Sequence, residues 1–159
     1  MAIDYLHLDI TTITHGVIAH GCNCQGKMGA GVALAVRHKW PIAYHDYVEA
    51  VRIVGNDKER LLGKCQIVPV VETDWSRLYV ANCFTQLYYG RQPKQYASVD
   101  AIRHSLTSAV NWATRFDIPM YMTRIGCSLG GLVWDTQVLP VVEHIAQTHS
   151  TTIYVCDKP

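Results

Sequence analysis

Val17-Ile18-Ala19-His20-Gly21-Cys22-Asn23-Cys24-Gln25-Gly26-Lys27-Met28-Gly29-Ala30-Gly31-Val32-Ala33 decides how this chain is read. The apolar run Val17-Ile18-Ala19 reads as a buried strand, and Val32 to Lys39 reads as a helix. A glycine-rich turn joins them. Glycine lets backbone approach a ligand closely, and the free N–H groups of a helix start point at negative charge. His20 and Asn23 stand at the strand end, where polar groups meet such a ligand. The stretch therefore predicts a site for a phosphorylated small molecule.

Outward from this stretch the elements alternate, which argues for an α/β layer architecture. Tyr5 to Leu8 reads as a first strand, Thr14-His15-Gly16 as a turn and Val17 to His20 as the next strand. A helix opens at Gly29 or Gly31 and stops before Pro41, because a residue preceding proline avoids helical geometry. Pro41 suits the first turn of a second helix through Tyr44, Tyr47, Val48 and Val51. Gly55 to Arg60 reads as a solvated loop. Cys65 to Val71 and Leu78 to Phe84 read as neighbouring strands, and Gly90 to Gln95 as a polar loop. Ser98 caps a long helix with an apolar stripe of Val99, Ile102, Leu106, Ala109, Val110 and Ala113. Pro119 to Ile125 reads as a strand, Gly126 to Gly131 as a second glycine-rich turn, Asp135 to Gln147 as a helix restricted by Pro140, and Thr152 to Cys156 as the last strand. Both glycine-rich turns fall at carboxyl ends of strands, where open α/β sheets bind ligands.

The 159 residues fit one domain, 1–159, large enough for a hydrophobic core without staples. A net charge of +1 excludes a broad basic field for nucleic acid or membrane surfaces. No apolar run approaches the ~20 residues of a membrane span, and no signal peptide is visible, so a cytoplasmic location is expected; the chain is also expected to be a monomer. Its six cysteines are then thiols, with Cys65, Cys83 and Cys156 as core residues.

Several familiar chemistries are absent. Gly26-Lys27-Met28 and Gly63-Lys64-Cys65 lack the remainder of a P-loop, and Leu34 stands where a dinucleotide fingerprint needs its third glycine. No cysteine has an arginine six residues downstream, as a cysteine phosphatase requires. Cys22 and Cys24 have no second pair to complete a zinc site, so neither metal nor cofactor is expected. His20 is the candidate general acid or base, set against a structural histidine bonded to backbone. Asn23 either orients a sugar hydroxyl or builds the turn. Asp9 either accepts from a ligand amino group or forms an Asx-turn. Lys27 either meets phosphate or is merely solvated, and Cys127 is read as packing rather than as a nucleophile.

Three segments, in order, resemble a macro domain. These are Leu8-Asp9-Ile10-Thr11, the His20 to Ala33 loop, and Arg124-Ile125-Gly126-Cys127-Ser128-Leu129-Gly130-Gly131-Leu132-Val133-Trp134. The resemblance implies a three-layer α/β/α fold around a central mixed sheet and a site for ADP-ribose or its 1''-phosphate. By the same resemblance Leu8, Asp9 and Ile10 lie by the adenine. Gly21, Cys22, Asn23, Met28, Gly29, Ala30, Gly31, Val32 and Ala33 lie by the distal ribose and diphosphate. Ile125, Gly126, Cys127, Ser128, Leu129, Gly130 and Gly131 wrap the diphosphate. Within the family the yeast-type ADP-ribose 1''-phosphate phosphatase branch is similar at His20 to Gly26, Asp46 to Glu49 and Leu61 to Cys65. It implies metal-independent removal of the terminal phosphate, with His20 and Asn23 as the catalytic candidates. A reader that binds ADP-ribose, and a hydrolase that removes it from protein or nucleic acid, remain as alternatives. The terminal glycohydrolase branch uses a lysine and an aspartate where this chain has Gln86 and Gly130, which argues against that chemistry.

Overall fold

A computed structural model describes residues 2–159. Six strands form one sheet: β1 (Ile3–His7), β2 (Gly16–Asn23), β3 (Cys65–Glu72), β4 (Arg77–Gln86), β5 (Met120–Met122) and β6 (Ile153–Asp157), in the order β1-β6-β5-β2-β4-β3. Every pairing is parallel except β3 with β4, so the sheet is mixed. β2 is central, between β5 and β4. Its near-complete burial explains the continuous apolar run, since a parallel strand is covered on both faces. β3 is an edge strand and tolerates Pro69, where the register shifts, because a proline there withholds no donor from a second neighbour.

Side chains alternate across β2. Val17 and Ala19 join the core under α3 (Val99–Arg115) and α4 (Leu139–Thr148). Ile18 joins the opposite core, under α1 (Gly31–Lys39) and α2 (Pro41–Val54). The result is three layers, α/β/α. The Ser98 hydroxyl caps α3 by accepting from Ala101 N at 3.2 Å, and the predicted stripe is buried except at Val99, which is half-buried. Among the described residues no helix is long and apolar enough to cross a membrane.

Several boundaries differ from the sequence reading. The first strand ends at His7, because Asp9 caps a short 3-10 turn over Ile10–Thr12. The strand expected over Pro119 to Ile125 is only Met120–Met122, since the chain leaves the sheet there to build the second loop. The helix expected from Asp135 begins as a π-helical turn, Trp134–Val138, in which Leu139 N donates to Trp134 O. Pro140 has no N–H and its ring displaces the carbonyl four residues back, so the regular helix starts only at Leu139.

Candidate functional site

The loops after β2 and β5 stand side by side at the carboxyl ends of adjacent parallel strands, and a cleft of about 560 Å³ opens between them. Gly21, Cys22, Asn23 and Gly29 to Ala33 line one side. Ile125, Gly126 and Ser128 to Gly130 line the other. The start of α1 faces the cleft. The first N–H groups of a helix have no intrahelical partner, Ala30 offers no side-chain cap, and Gly31, Val32 and Ala33 are all at the surface of the cleft. This end of α1 therefore presents donors and a positive dipole end to a ligand.

The first loop is held from beneath. Asn23 Oδ1 accepts from Gln25 N at 2.9 Å, and Asn23 Nδ2 donates to Lys27 O at 2.8 Å. The hydroxyl of fully buried Tyr47, on α2, accepts from Gly26 N and Lys27 N at 3.0 Å each and lies 2.8 Å from both Asn23 oxygens. Burial pushes the Tyr47 phenol well up, so it stays a neutral donor and acceptor. Asn23 is thus the turn builder as well as a residue of the lining. Its carbonyl oxygen is spent on the loop, which leaves only an amide hydrogen for a ligand.

The second loop is pinned at several points. Gly130 O accepts from Tyr96 N at 2.8 Å and Ala97 N at 3.0 Å, and Leu132 N donates to Gly126 O at 2.9 Å. A Cβ at Gly130 would stand 2.6 Å from Gly126 O, so only glycine fits. Arg124 anchors the loop to β6 through a bidentate pair with Asp157, at 2.8 and 2.9 Å. Its guanidinium also lies near the rings of Tyr5 and Trp134. This pairing holds the Asp157 carboxyl below its ordinary range.

His20 requires a correction. It is completely buried on the α1/α2 side of the sheet and does not line the cleft. Its Nε2 is 2.6 Å from Asn82 Oδ1. Asn82 Nδ2 donates to Ala43 O at 3.1 Å and to Gln66 Oε1 at 3.0 Å, which turns Oδ1 toward the imidazole. The proton therefore sits on Nε2. Burial pushes the His20 pKa down to about 4. It is a neutral core histidine that ties β2 to β4, outside the residues that line the cleft.

Other expected site residues also fall outside the cleft lining. Met28 is buried beside Tyr47 and Phe84, as loop packing. Ile10 is core and Leu8 packs against it. The Asp9 carboxylate forms the Asx-turn: Oδ1 accepts from Thr11 N at 2.9 Å and Thr11 Oγ1 at 2.7 Å, which holds its pKa low. Asp9 Oδ2 is 3.7 Å from Lys158 Nζ. The Cys127 thiol donates to Ile125 O and packs toward the α3/α4 core, and Gly131 lies just beyond the cleft. Cys22 reaches the lining, but burial pushes its thiol up, away from thiolate chemistry.

Thr85, Gln86, Tyr89, Gly90, Arg91, Thr123 and the Asp157-paired Arg124 also line it. Among the described residues, the cleft carries no carboxylate and no imidazole. Lys27 and Arg91 line it, and neither has a carboxylate within 4.0 Å. No group of three or more His, Cys, Asp and Glu that could hold a metal ion occurs among the described residues.

A sheet of this order, with two glycine-rich loops flanking a cleft at the ends of β2 and β5, is the three-layer fold of a macro domain, and this chain has that fold. A macrodomain protein from Streptomyces coelicolor superposes with a TM-score of 0.75 at 25% identity, covering 98% of each chain. In sequence the chain is similar to ADP-ribose 1''-phosphate phosphatases of yeasts. That of Scheffersomyces stipitis is 28% identical over 81% of this chain and 83% of its own. That of Debaryomyces hansenii is 31% identical over 57% of each. No family model matches the chain.

Proposed function

We propose that this chain hydrolyses ADP-ribose 1''-phosphate to ADP-ribose and inorganic phosphate without a metal. One observation carries the reading: the cleft combines a helix start rich in free N–H donors with two cations, Lys27 and Arg91, that have no carboxylate within 4.0 Å among the described residues. A diphosphate and a terminal phosphate bring the matching negative charge. The names of the yeast relatives support the choice of substrate. The reading takes residues 1–159 as one domain acting as a monomer.

In this reading the α1 N–H groups and the second loop hold the diphosphate. Lys27 neutralises charge, and Asp9 Oδ2 offers an acceptor to the adenine amino group. Phosphoryl transfer passes through a loose transition state, in which positioning and charge stabilisation supply most of the catalysis. Water adds to phosphorus, the bond from phosphorus to the ribose oxygen breaks, and that oxygen takes the proton. The lysine and aspartate chemistry of the other branch is disfavoured, because Gly130 has no room for a side chain and Gln86 carries no charge.

The absence of a carboxylate or imidazole from the lining favours a second reading, ADP-ribose binding without chemistry. Phosphate release from ADP-ribose 1''-phosphate, with chelator present, separates the two. Turnover is expected to persist with chelator. Lys27→Ala is expected to lower kcat/KM by roughly 10–100-fold, the loss of one charge-assisted hydrogen bond. No release alongside tight calorimetric binding of ADP-ribose would leave the reader.

A further inference from the structure

A second cavity of about 440 Å³ adjoins the cleft and shares Arg91, Ser128 and Leu129 with it. Its far wall is the polar loop between β4 and α3, which carries Gln92 and Lys94. This loop is framed. Lys94 N donates to Gln92 O at 2.8 Å, and Lys94 Nζ lies 5.0 Å from the centre of the Tyr96 ring. Tyr96 N and Ala97 N are both bound by Gly130 O, at 2.8 and 3.0 Å. A Cβ at Gly131 would stand 2.5 Å from Lys94 O, so the loop lies flush against the second glycine-rich loop. Neither Arg91 nor Lys94 has a carboxylate within 4.0 Å among the described residues. In a chain whose net charge is only +1, two such cations facing one cavity are a local surplus.

We infer that this side cavity is the subsite for the terminal phosphate, with Arg91 and Lys94 as its cationic ligands, and that it separates the phosphorylated substrate from its product. The inference rests on the phosphatase reading and deepens it. A phosphate monoester is close to a dianion at neutral pH, since its second pKa lies near ~6. Arg91 stands where the two cavities meet, at the junction of ribose and phosphate, and a guanidinium holds two phosphate oxygens at once. Lys94 supplies the second charge from the far side. The cavity is larger than a phosphate group and leaves space beyond it. In-line attack needs water on the face of phosphorus opposite the departing ribose oxygen, and the space beyond the phosphate would admit it. After hydrolysis ADP-ribose has no charge to place in the subsite, so the product loses both contacts and leaves.

The test compares two ligands in wild type, Arg91→Gln, Lys94→Gln and the double variant, with thermal unfolding to verify folding. ADP-ribose affinity is read by calorimetry, and KM for ADP-ribose 1''-phosphate by phosphate release. Lys94→Gln is expected to raise KM roughly tenfold and to change ADP-ribose affinity less than about twofold. Lys94→Arg is expected to restore KM, and Arg91→Gln to weaken the phosphorylated ligand more than ADP-ribose. Equal losses for both ligands, or an unchanged KM in the double variant, would overturn the subsite. If wild type releases no phosphate, the phosphatase reading fails on its own, and calorimetry with both ligands still tests the subsite. A wild-type preference for the phosphorylated ligand that the double variant loses then supports it, and the absence of such a preference sinks it.

Discussion

His20 shows how burial removes a residue from chemistry and gives it a pH-dependent role in stability. Its imidazole is neutral in the fold, with a pKa near 4, against an ordinary value of 6.5. Above pH 6.5 both folded and unfolded chains hold it neutral, and its contribution is complete. As pH falls from 6.5 toward 4 the unfolded chain takes up a proton that the folded chain refuses, so stability drops, by ~3 kcal/mol over the whole window. Urea unfolding at pH 7 and at pH 4.5 checks this. The midpoint of wild type is expected to fall further than that of His20→Gln, whose amide still reaches Asn82 but does not titrate. The same variant is expected to keep turnover within about tenfold, whereas a general acid or base would cost roughly 10²–10⁴. A collapse of turnover in a folded His20→Gln protein would return His20 to the reaction.

At the scale of elements, the first loop depends on a hydroxyl delivered by a helix. The sequence reading places Tyr47 on the helix opened by Pro41, and its ring packs on Phe84. Its polar tip accepts from Gly26 N and Lys27 N, however, and periodicity does not register that. Tyr47→Phe keeps the packing, leaves Gly26 N without an acceptor and leaves Lys27 N only its longer contact to Asn23 Oδ1 at 3.4 Å, at a cost of about 1–3 kcal/mol where water cannot replace the hydroxyl. ADP-ribose affinity is expected to fall roughly tenfold or more while helix content by circular dichroism is unchanged; unaltered affinity would mean that the loop holds its shape without the hydroxyl. The same contrast runs through what the sequence made legible. The glycine-rich turns, the Ser98 cap and the unbroken apolar run of β2 are local patterns, and local physics writes them directly. Strand order is not local, so Thr85 joins the site only because β4 lies next to β2. The side of the sheet that each β2 residue faces is not local either. Alternation puts His20 on the same face as Ile18, away from the cleft, but only the placement of α1 and α2 identifies that face as a closed layer. Arg91, in a stretch that reads merely as a polar loop, becomes part of the lining because the second glycine-rich loop holds the end of that stretch down.

Taken as a whole, the molecule brings cations and backbone donors to one cleft and keeps carboxylates out of its lining among the described residues, and this distribution bears on which bond breaks. The terminal phosphate is attached to an anomeric carbon, so hydrolysis can cleave either the bond from phosphorus to oxygen or the bond from carbon to oxygen. Carbon–oxygen cleavage develops positive charge on the sugar and is ordinarily served by a pair of carboxylates. Among the described residues none lines this cleft, and Asp157, near its edge, is already committed to Arg124. Cleavage at phosphorus leaves negative charge spread over phosphate oxygens, which Lys27, Arg91, Lys94 and the α1 N–H groups are placed to meet. In water enriched in oxygen-18, inorganic phosphate released by this protein is therefore expected to carry one labelled oxygen per turnover, read by mass spectrometry of the phosphate alone, because the product's hemiacetal oxygen exchanges with solvent. Unlabelled phosphate would mean that the sugar carbon is attacked. It would then require the cleft to stabilise a cationic sugar with the carbonyls of its two loops, and would bring this chain's chemistry close to that of enzymes that detach ADP-ribose from its carriers.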